Sequence, residues 1–139
     1  MQLPTEAQWE YACRAGTTTP FHSGPGFPNG TTDDNLVSQI AWFNCNGGCN
    51  THAVGTKAAN ALGLHDMLGN VWEWCGDWYG DYSSVAQTNP TGPGSGSYRV
   101  LRGGAWFYGT VDGRSSNRVN GTPVYADYGI GFRVARAPL

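Results

Sequence analysis

The side chains that could carry out covalent or metal chemistry in this chain are few and scattered. Cys45 and Cys49 are separated by Asn-Gly-Gly, a spacing that suits a local disulfide or two free thiols. A zinc site there would need two more ligands, which only the dispersed residues His22, His52 and His65 could supply. None of these histidines has a serine or aspartate at a spacing that suggests a catalytic triad. The paired carboxylates Asp33 and Asp34 have no apolar sequence neighbours that would raise a carboxyl pKa for general acid-base catalysis. The sequence therefore predicts no assembled catalytic site.

Composition limits the class of protein. The chain has 139 residues with 21 Gly, 6 Trp and 7 Tyr, but only 8 Lys+Arg and 10 Asp+Glu. Few charges and many glycines favour one loop-rich globular domain over long amphipathic helices. A net charge of −2 without a basic run argues against nucleic-acid binding. No apolar stretch approaches the roughly 20 residues of a membrane span, so membrane insertion is not expected.

The elements that must position any site are short. Thr5 to Gly16 predicts a helix, because Thr5 and Gln8 form a capping box and Gly16 provides a stop. Strands are predicted at 71–74, 98–102 and 131–134. The stretch 17–50 reads as loop with an apolar break at 40–43, and a loop of this length should be pinned by an ion, a disulfide or packing under Trp42.

The C-terminal segment 101–134 combines two kinds of sequence. Its inserts at 107–109, 119–122 and 127–129 have no hydrophobic period and are rich in Tyr and Gly. The inserts lie between residues of a rigid frame, which are Arg102, Gly103, Gly104, Trp106, Arg114, Asn117, Arg118, Pro123 and the run 130–133. A fixed frame that holds patternless inserts is more typical of a binding surface than of an active site.

Four motifs are spread along the chain: LPTEAQWEYA at 3–12, GLHDMLGNVWEW at 63–74, RGG at 102–104 and GFR at 131–133. Together they resemble the formylglycine-generating enzyme family, also called sulfatase-modifying factors. The resemblance implies an α+β, C-type-lectin-like fold that is rich in loops and has short antiparallel strands. It also implies one domain over 1–139, shorter at its N-terminal side than is usual in the family.

Within that family, the spacing of the frame residues resembles the variable proteins of diversity-generating retroelements. In those systems a reverse transcriptase copies a template repeat with errors at adenines. The resemblance implies a variable region at about 102–133. The positions that it marks as variable ligand-binding residues are Phe107, Tyr108, Gly109, Asp112, Val119, Asn120, Gly121, Thr122, Tyr125, Asp127, Tyr128 and Gly129. Each of these amino acids can be reached from an AAC or AAT codon by changing adenines alone.

The same resemblance bears on cofactors. The two copper-binding cysteines of the oxidase branch would fall at about Tyr108 and Gly113, neither of which supplies a thiolate for Cu(I), so no copper is expected. Calcium is expected instead, since carboxylates and exposed carbonyls suit a hard cation. The implied calcium ligands are Asp66, Gly69, Val71 and Glu73 in a first site, and Asn35, Leu36, Asn46 and Gly48 in a weaker second site. The alternative at Glu73 is that it caps the turn or pairs with an arginine.

Two functions follow as hypotheses. The first is a non-enzymatic protein that displays a diversified surface to a protein or other macromolecular ligand. In it, Arg102, Arg114, Arg118 and Arg133 would hold the inserts through hydrogen bonds to backbone carbonyls. The alternative is a non-diversified member of the family, either an accessory domain with one evolved ligand or a formylglycine-generating oxidase. No localisation signal is recognised, and display on a cell surface or a virion would be compatible with the first hypothesis.

Overall fold

The computed structural model describes residues 1–44 and 46–136 and builds them around a small sheet. The helices are α1 (Glu6–Arg14) and α2 (Asp34–Val37), and a 3-10 turn covers Thr110–Gly113. The strands are β1 (Trp72–Trp78), β2 (Arg99–Arg102), β3 (Arg118–Gly121) and β4 (Ile130–Gly131), in the spatial order β3-β2-β1-β4. The predicted α+β, loop-rich architecture is confirmed.

One strand departs from the antiparallel arrangement. β1 pairs with β2, and β2 with β3, in antiparallel register, whereas β4 pairs with β1 in parallel through Trp72–Ile130 and Glu73–Gly131. The strand predicted at 131–134 is also shorter than expected. The chain leaves the sheet after Gly131 because Ala135 instead exchanges backbone hydrogen bonds with Gln2 near the start of the chain.

Helix α1 begins where its capping box predicts. Thr5 Oγ1 accepts from the backbone N–H of Gln8 at 3.2 Å, and Gln8 Oε1 accepts from the backbone N–H of Thr5 at 2.9 Å. The helix ends at a left-handed residue, Ala15 (φ 47°), one position before the predicted glycine stop. Its inner face buries Trp9 and Cys13 against the sheet.

The sheet has two differently covered faces because side chains alternate along each strand. On β2, Val100 belongs to the main core with α1, whereas Leu101 belongs to a second, smaller cluster on the opposite face. That second cluster consists of Trp72, Leu101 and Ala105, with Trp74, Phe107, Val119 and Ile130 packed against it. Residues of the C-terminal segment therefore cover this face of the sheet.

The long segment 17–50 is held by packing and by side-chain hydrogen bonds. Ile40 is buried in the main core, and the backbone N–H of Asn70 donates to Trp42 O at 2.9 Å. The Asn46 amide closes the turn that follows, since it accepts from Phe43 N at 2.8 Å and donates to Ala41 O at 3.0 Å. Whether Cys45 pairs with Cys49 or is a free thiol, the alternatives left open by the sequence, lies outside the described residues, because these do not include Cys45.

No helix among the described residues is long and apolar enough to cross a membrane.

The core also buries polar side chains, and one of them is a histidine. His22 is fully buried, and this burial lowers the pKa of its imidazole, so the ring remains neutral.

Candidate ligand-binding surface

Aromatic side chains from two of the inserts meet on the surface. The ring of Phe107 lies 4.7 Å from that of Tyr108 and 5.5 Å from that of Tyr128, centroid to centroid. Trp106 of the frame contacts the same cluster, at 4.8 Å from Phe107 and 5.9 Å from Tyr128. Tyr108 is 40% exposed and Tyr128 is 70% exposed, so two large rings of the cluster face solvent. Rings that are solvent-exposed yet supported from behind are typical contact residues of binding surfaces.

The turn after β2 fixes where the first insert begins. Gly103 (φ 98°) and Gly104 (φ 80°) both adopt left-handed backbone conformations that disfavour other residues. A Cβ on Gly104 would lie 3.0 Å from the Cα of Gly113. The N–H of Trp106 donates to Asn70 O at 2.9 Å, and Tyr108 O accepts from Asn44 N at 3.1 Å. The backbone of the first insert is therefore anchored on both sides of Phe107.

Arg102 anchors the segment from below. Its side chain is 0% exposed, and its guanidinium donates to the backbone carbonyls of Ser115, Ser116 and Asn117 and to the Glu10 carboxylate on α1. Arg102 thus holds backbone carbonyls as predicted, but these belong to 115–117, just before the second insert, and not to an insert itself. Because the carbonyls directly precede β3, this contact sets the position of the strand that carries the second insert.

The other frame arginines act differently from the prediction. Arg118 donates to Gly80 O at 2.7 Å and pairs with Glu6, because alternation along β3 directs it to the α1 side of the sheet. Arg133 binds Glu73 and the carbonyls of 65 and 66. The prediction is wrong for Arg114, whose side chain is exposed and has no hydrogen-bond or ion-pair partner in the described part of the chain. These side chains tie the frame to other segments instead of tying down the inserts.

The second insert is a strand, which the patternless sequence did not predict. Residues 118–121 form β3 at the edge of the sheet, with Val119 packed on the smaller cluster and Asn120 exposed. Gly121 is buried, and a Cβ there would lie 2.7 Å from Cη2 of Trp74. Gly121 is therefore a packing position, although its codon class marks it as variable.

Gly129 is a packing position of the same kind. It is buried, and a Cβ added to it would lie 2.3 Å from Cε1 of Phe107. Asp127 supports this turn, since its Oδ1 accepts from the N–H of Gly129 at 2.8 Å. Phe107, Gly109, Asp112 and Asp127 are partly buried. The positions that remain exposed are Tyr108, Asn120, Thr122, Tyr125 and Tyr128.

Two neighbouring positions, the last residue of β3 and the residue after it, give a direct test of this division. Replacing Gly121 with Asn is expected to lower the free energy of unfolding by about 1–3 kcal/mol, because the new side chain overlaps Trp74. Replacing the exposed Thr122 with Asn is expected to change it by less than about 0.5 kcal/mol. Urea denaturation of both variants provides the measurement. Equal stability of the two variants would show that Gly121 is free to vary.

Two residues of the implied first calcium site, Asp66 and Glu73, accept hydrogen bonds from the Arg133 guanidinium. Glu73 accepts from Arg133 at 2.6 and 2.7 Å and from the indole N–H of Trp9 at 2.6 Å, so both of its oxygens are occupied. Asp66 uses Oδ2 to accept from Gly55 N at 2.6 Å, while its Oδ1 is buried without a partner. The oxygens of Glu73 thus fit pairing with an arginine better than binding of a calcium ion. Pairing with an arginine is the alternative that the sequence left open at this residue.

The second implied site fits a cation no better. The Asn46 amide is used to close the 41–46 turn, and the Asn35 side chain donates to Asp33 Oδ1 at 2.9 Å. Within the described ranges, no group of three or more His, Cys, Asp or Glu side chains converges on one point. The calcium sites remain a prediction that a binding experiment has to test.

Thiol chemistry is not supported at the described buried cysteines. The implied copper positions hold the half-exposed ring of Tyr108 and the side-chain-free Gly113. Cys13 and Cys75 are buried, and burial raises the pKa of Cys13 to about 12 and also raises that of Cys75. Because the thiolate is the reactive and metal-binding form, these two thiols are protonated and inert at neutral pH.

Comparison with known proteins agrees with the motifs. The sequence profile of the sulfatase-modifying factor enzyme 1-like domain matches residues 1–138. The chain is 36% identical over 157 residues to the formylglycine-generating enzyme of Streptomyces coelicolor, covering 96% of this chain and 46% of that protein. It is 40% identical over 139 residues to the serine/threonine-protein kinase pkn1 of Chlamydia caviae, covering 97% of this chain and 21% of that protein.

A comparison of three-dimensional structures gives a further match. Treponema denticola variable protein 1 superposes with a TM-score of 0.85 at 38% identity, covering 94% of this chain and 45% of that chain. These matches confirm the resemblance that the motifs indicate. The chain spans between about a fifth and a half of the length of these relatives.

Proposed function

We propose that this chain, which belongs to the family of sulfatase-modifying factor enzyme 1-like domains, is a binding protein whose C-terminal segment forms a variable ligand-binding surface. The observation that carries the proposal is an aromatic cluster in which Tyr108 and Tyr128 are exposed and Phe107 is partly buried. One arginine of the frame that supports it, Arg102, is fully buried. The likeness to a variable protein of Treponema denticola supports the same function.

The partner is a protein or another macromolecule that offers a broad surface. Tyr108, Tyr125 and Tyr128 expose 40%, 50% and 70% of their surface, respectively, and each can bury a large area at a low cost in side-chain entropy. Asn120 on β3 and Thr122, which directly follows the strand, add short polar groups that adapt their hydrogen bonds to different ligands. Such a surface suits contact by several rings at once better than the enclosure of a small molecule.

A pair of matched libraries tests the binding function. In one, the exposed positions are randomised with codons derived from AAC and AAT, which affects Tyr108, Asn120, Thr122, Tyr125 and Tyr128. In the other, the same codons randomise the frame positions Arg102, Gly103, Gly104 and Trp106 together with the buried insert position Gly121. On a yeast surface, most members of the first library are expected to resist protease and to yield binders to a protein bait such as lysozyme, whereas most members of the second lose protease resistance. Equal loss of resistance in both libraries would refute a binding surface that tolerates variation.

Diversification of the segment is tested in the gene itself. The intact locus is expected to contain a near-repeat of the region that encodes about 102–133, with AAC or AAT at the exposed positions, together with a reverse transcriptase gene. Differences between the two copies should fall at adenines. A locus without such a repeat would show that the domain is fixed, with one evolved ligand, as the alternative hypothesis states.

The proposal assigns no oxidase activity to the chain. Tyr108 and Gly113 stand at the implied copper positions, and the described buried thiols have raised pKa values. Formylglycine formation on a cysteine-containing peptide in the presence of copper would be measured by mass spectrometry. Any turnover above that of a copper-only control would overturn this part of the proposal.

A further inference from the structure

A second site lies beside the variable surface, at the end of β3. A cavity of about 580 Å³ opens there between β1, the start of the chain and the loop before β2. Its walls include Leu3, Thr5, Trp74, Thr91, Arg99 and Pro123. Pro123 directly follows the exposed Thr122, and Trp74 packs on Gly121, so the cavity adjoins the second insert. Apart from Pro123, which belongs to the frame, these walls lie outside the variable segment.

Arg99 is held in place on the wall of this cavity. Its guanidinium carbon lies 3.5 Å above the ring centroid of Trp78, and Nη1 donates to the backbone carbonyl of Gly76. Nε and Nη2 have no acceptor among the described residues, and no described carboxylate lies within ion-pair distance of Arg99. The lining of the cavity thus includes a positively charged side chain with unused donors, which has little side-chain entropy left to lose on binding.

The other groups around the cavity are compatible with an anion. Trp74, Leu3 and Pro123 provide apolar surface beside the guanidinium. Asp77 also borders the cavity, but it is 4% exposed and its Oδ2 accepts from the Glu6 N–H at 2.7 Å. Its charge is therefore directed to the first turn of α1 and away from the solvent-filled space. Arg99 is the charged side chain of the lining that offers free donors to a ligand.

We propose that this cavity binds a carboxylate that is attached to a flat apolar group. The carboxylate accepts hydrogen bonds from Arg99, and the apolar group packs on the Trp74 and Pro123 walls. The site does not depend on the identity of the variable residues. A macromolecular ligand held by the exposed tyrosines could place a carboxylate with an adjoining apolar group in this cavity, whatever the sequence of the inserts.

Titration with benzoate, followed by tryptophan fluorescence and by NMR of the full 139-residue chain, tests the site. Saturable binding of benzoate is expected, with benzamide bound about ten- to hundredfold more weakly, because hydrogen bonds to a charged group contribute on that order. Arg99→Gln should weaken benzoate binding by a similar factor. The matched control Arg114→Gln removes an exposed arginine that has no partner in the described chain, and should leave binding unchanged.

Further variants guard against a trivial loss of folding. Arg99→Lys keeps the charge and should bind benzoate with an affinity between those of the wild type and Arg99→Gln. The double variant Tyr108→Ala/Tyr128→Ala should bind benzoate like the wild type, so that this test remains separate from that of the variable surface. Equal binding of benzoate and benzamide, unchanged binding in a folded Arg99→Gln, or no saturable binding of benzoate would each overturn the proposal.

Discussion

Replacing Arg102 with methionine is expected to lower the free energy of unfolding by about 3–5 kcal/mol, the usual cost of breaking a buried ion pair by removing one partner. The side chain is 0% exposed and binds the Glu10 carboxylate together with the carbonyls of 115–117. Methionine keeps much of the volume but leaves those acceptors unsatisfied. A domain of this size is stable by only about 5–15 kcal/mol, so much of the protein would unfold under mild conditions.

The matched control is Arg114→Met, which removes the same charge from the same segment. Arg114 is exposed and has no partner among the described residues, so the change in unfolding free energy should stay below about 0.5 kcal/mol. Guanidinium denaturation of both variants gives the comparison. Similar losses in the two variants would mean that Arg102 contributes charge alone and does not organise the segment before β3.

Replacing Glu73 with glutamine is the second change with a large expected effect. It removes the charge that faces Arg133 and weakens the acceptor for the Trp9 indole, in a position where the carboxylate side chain is 8% exposed. The expected loss is again about 3–5 kcal/mol, because the Arg133 charge would remain without its partner. A double variant, Glu73→Gln/Arg133→Met, should be more stable than the sum of the single losses allows, since neither charge of the pair then remains.

The same position distinguishes an arginine partner from a calcium ion. If Arg133 alone satisfies Glu73, the melting temperature of the wild type should be equal in calcium and in chelator. If calcium binds as the family resemblance implies, chelation should lower the melting temperature of the wild type but not that of Glu73→Gln. Differential scanning calorimetry in both buffers decides between these outcomes. For the ion pair, the contradicting result would be a loss of stability in Glu73→Gln/Arg133→Met equal to the sum of the losses in the two single variants.

Local features of the fold could be read from the sequence where the determinant lies within a few residues. The capping box of Thr5 and Gln8 sets the start of α1 because both partners lie within one helical turn. The Gly103-Gly104 turn follows a predicted strand, and both residues have the left-handed φ that glycine favours. The family motifs gave the architecture because they cover the chain from 3 to 133.

The ligand-binding surface could be predicted from the sequence only in part. Codon class grouped Gly121 and Gly129 with Tyr108 and Thr122, yet the two glycines are covered by Trp74 and Phe107. Those rings come from 47 and 22 positions away along the chain, so no local pattern indicates the contact. β3 escaped prediction for a related reason. The positions of β3 that face inward are Val119 and Gly121. One apolar side chain is too few to show the alternation of apolar and polar residues by which a strand is recognised in a sequence.

The sequence by itself determined that the chain has the frame of this family and lacks cysteines at the implied copper positions, because both facts depend on residue identity and order. Only the tertiary structure decided which insert residues face solvent, and which acidic and basic side chains pair. Arg102 and Arg118 both contact Glu6, more than ninety residues away, while Arg133 contacts Glu73. The alternation of side chains along a strand decides which face of the sheet each charged residue lies on. Because an unpaired buried charge is costly, each such residue then pairs with an opposite charge that lies close to it in the fold.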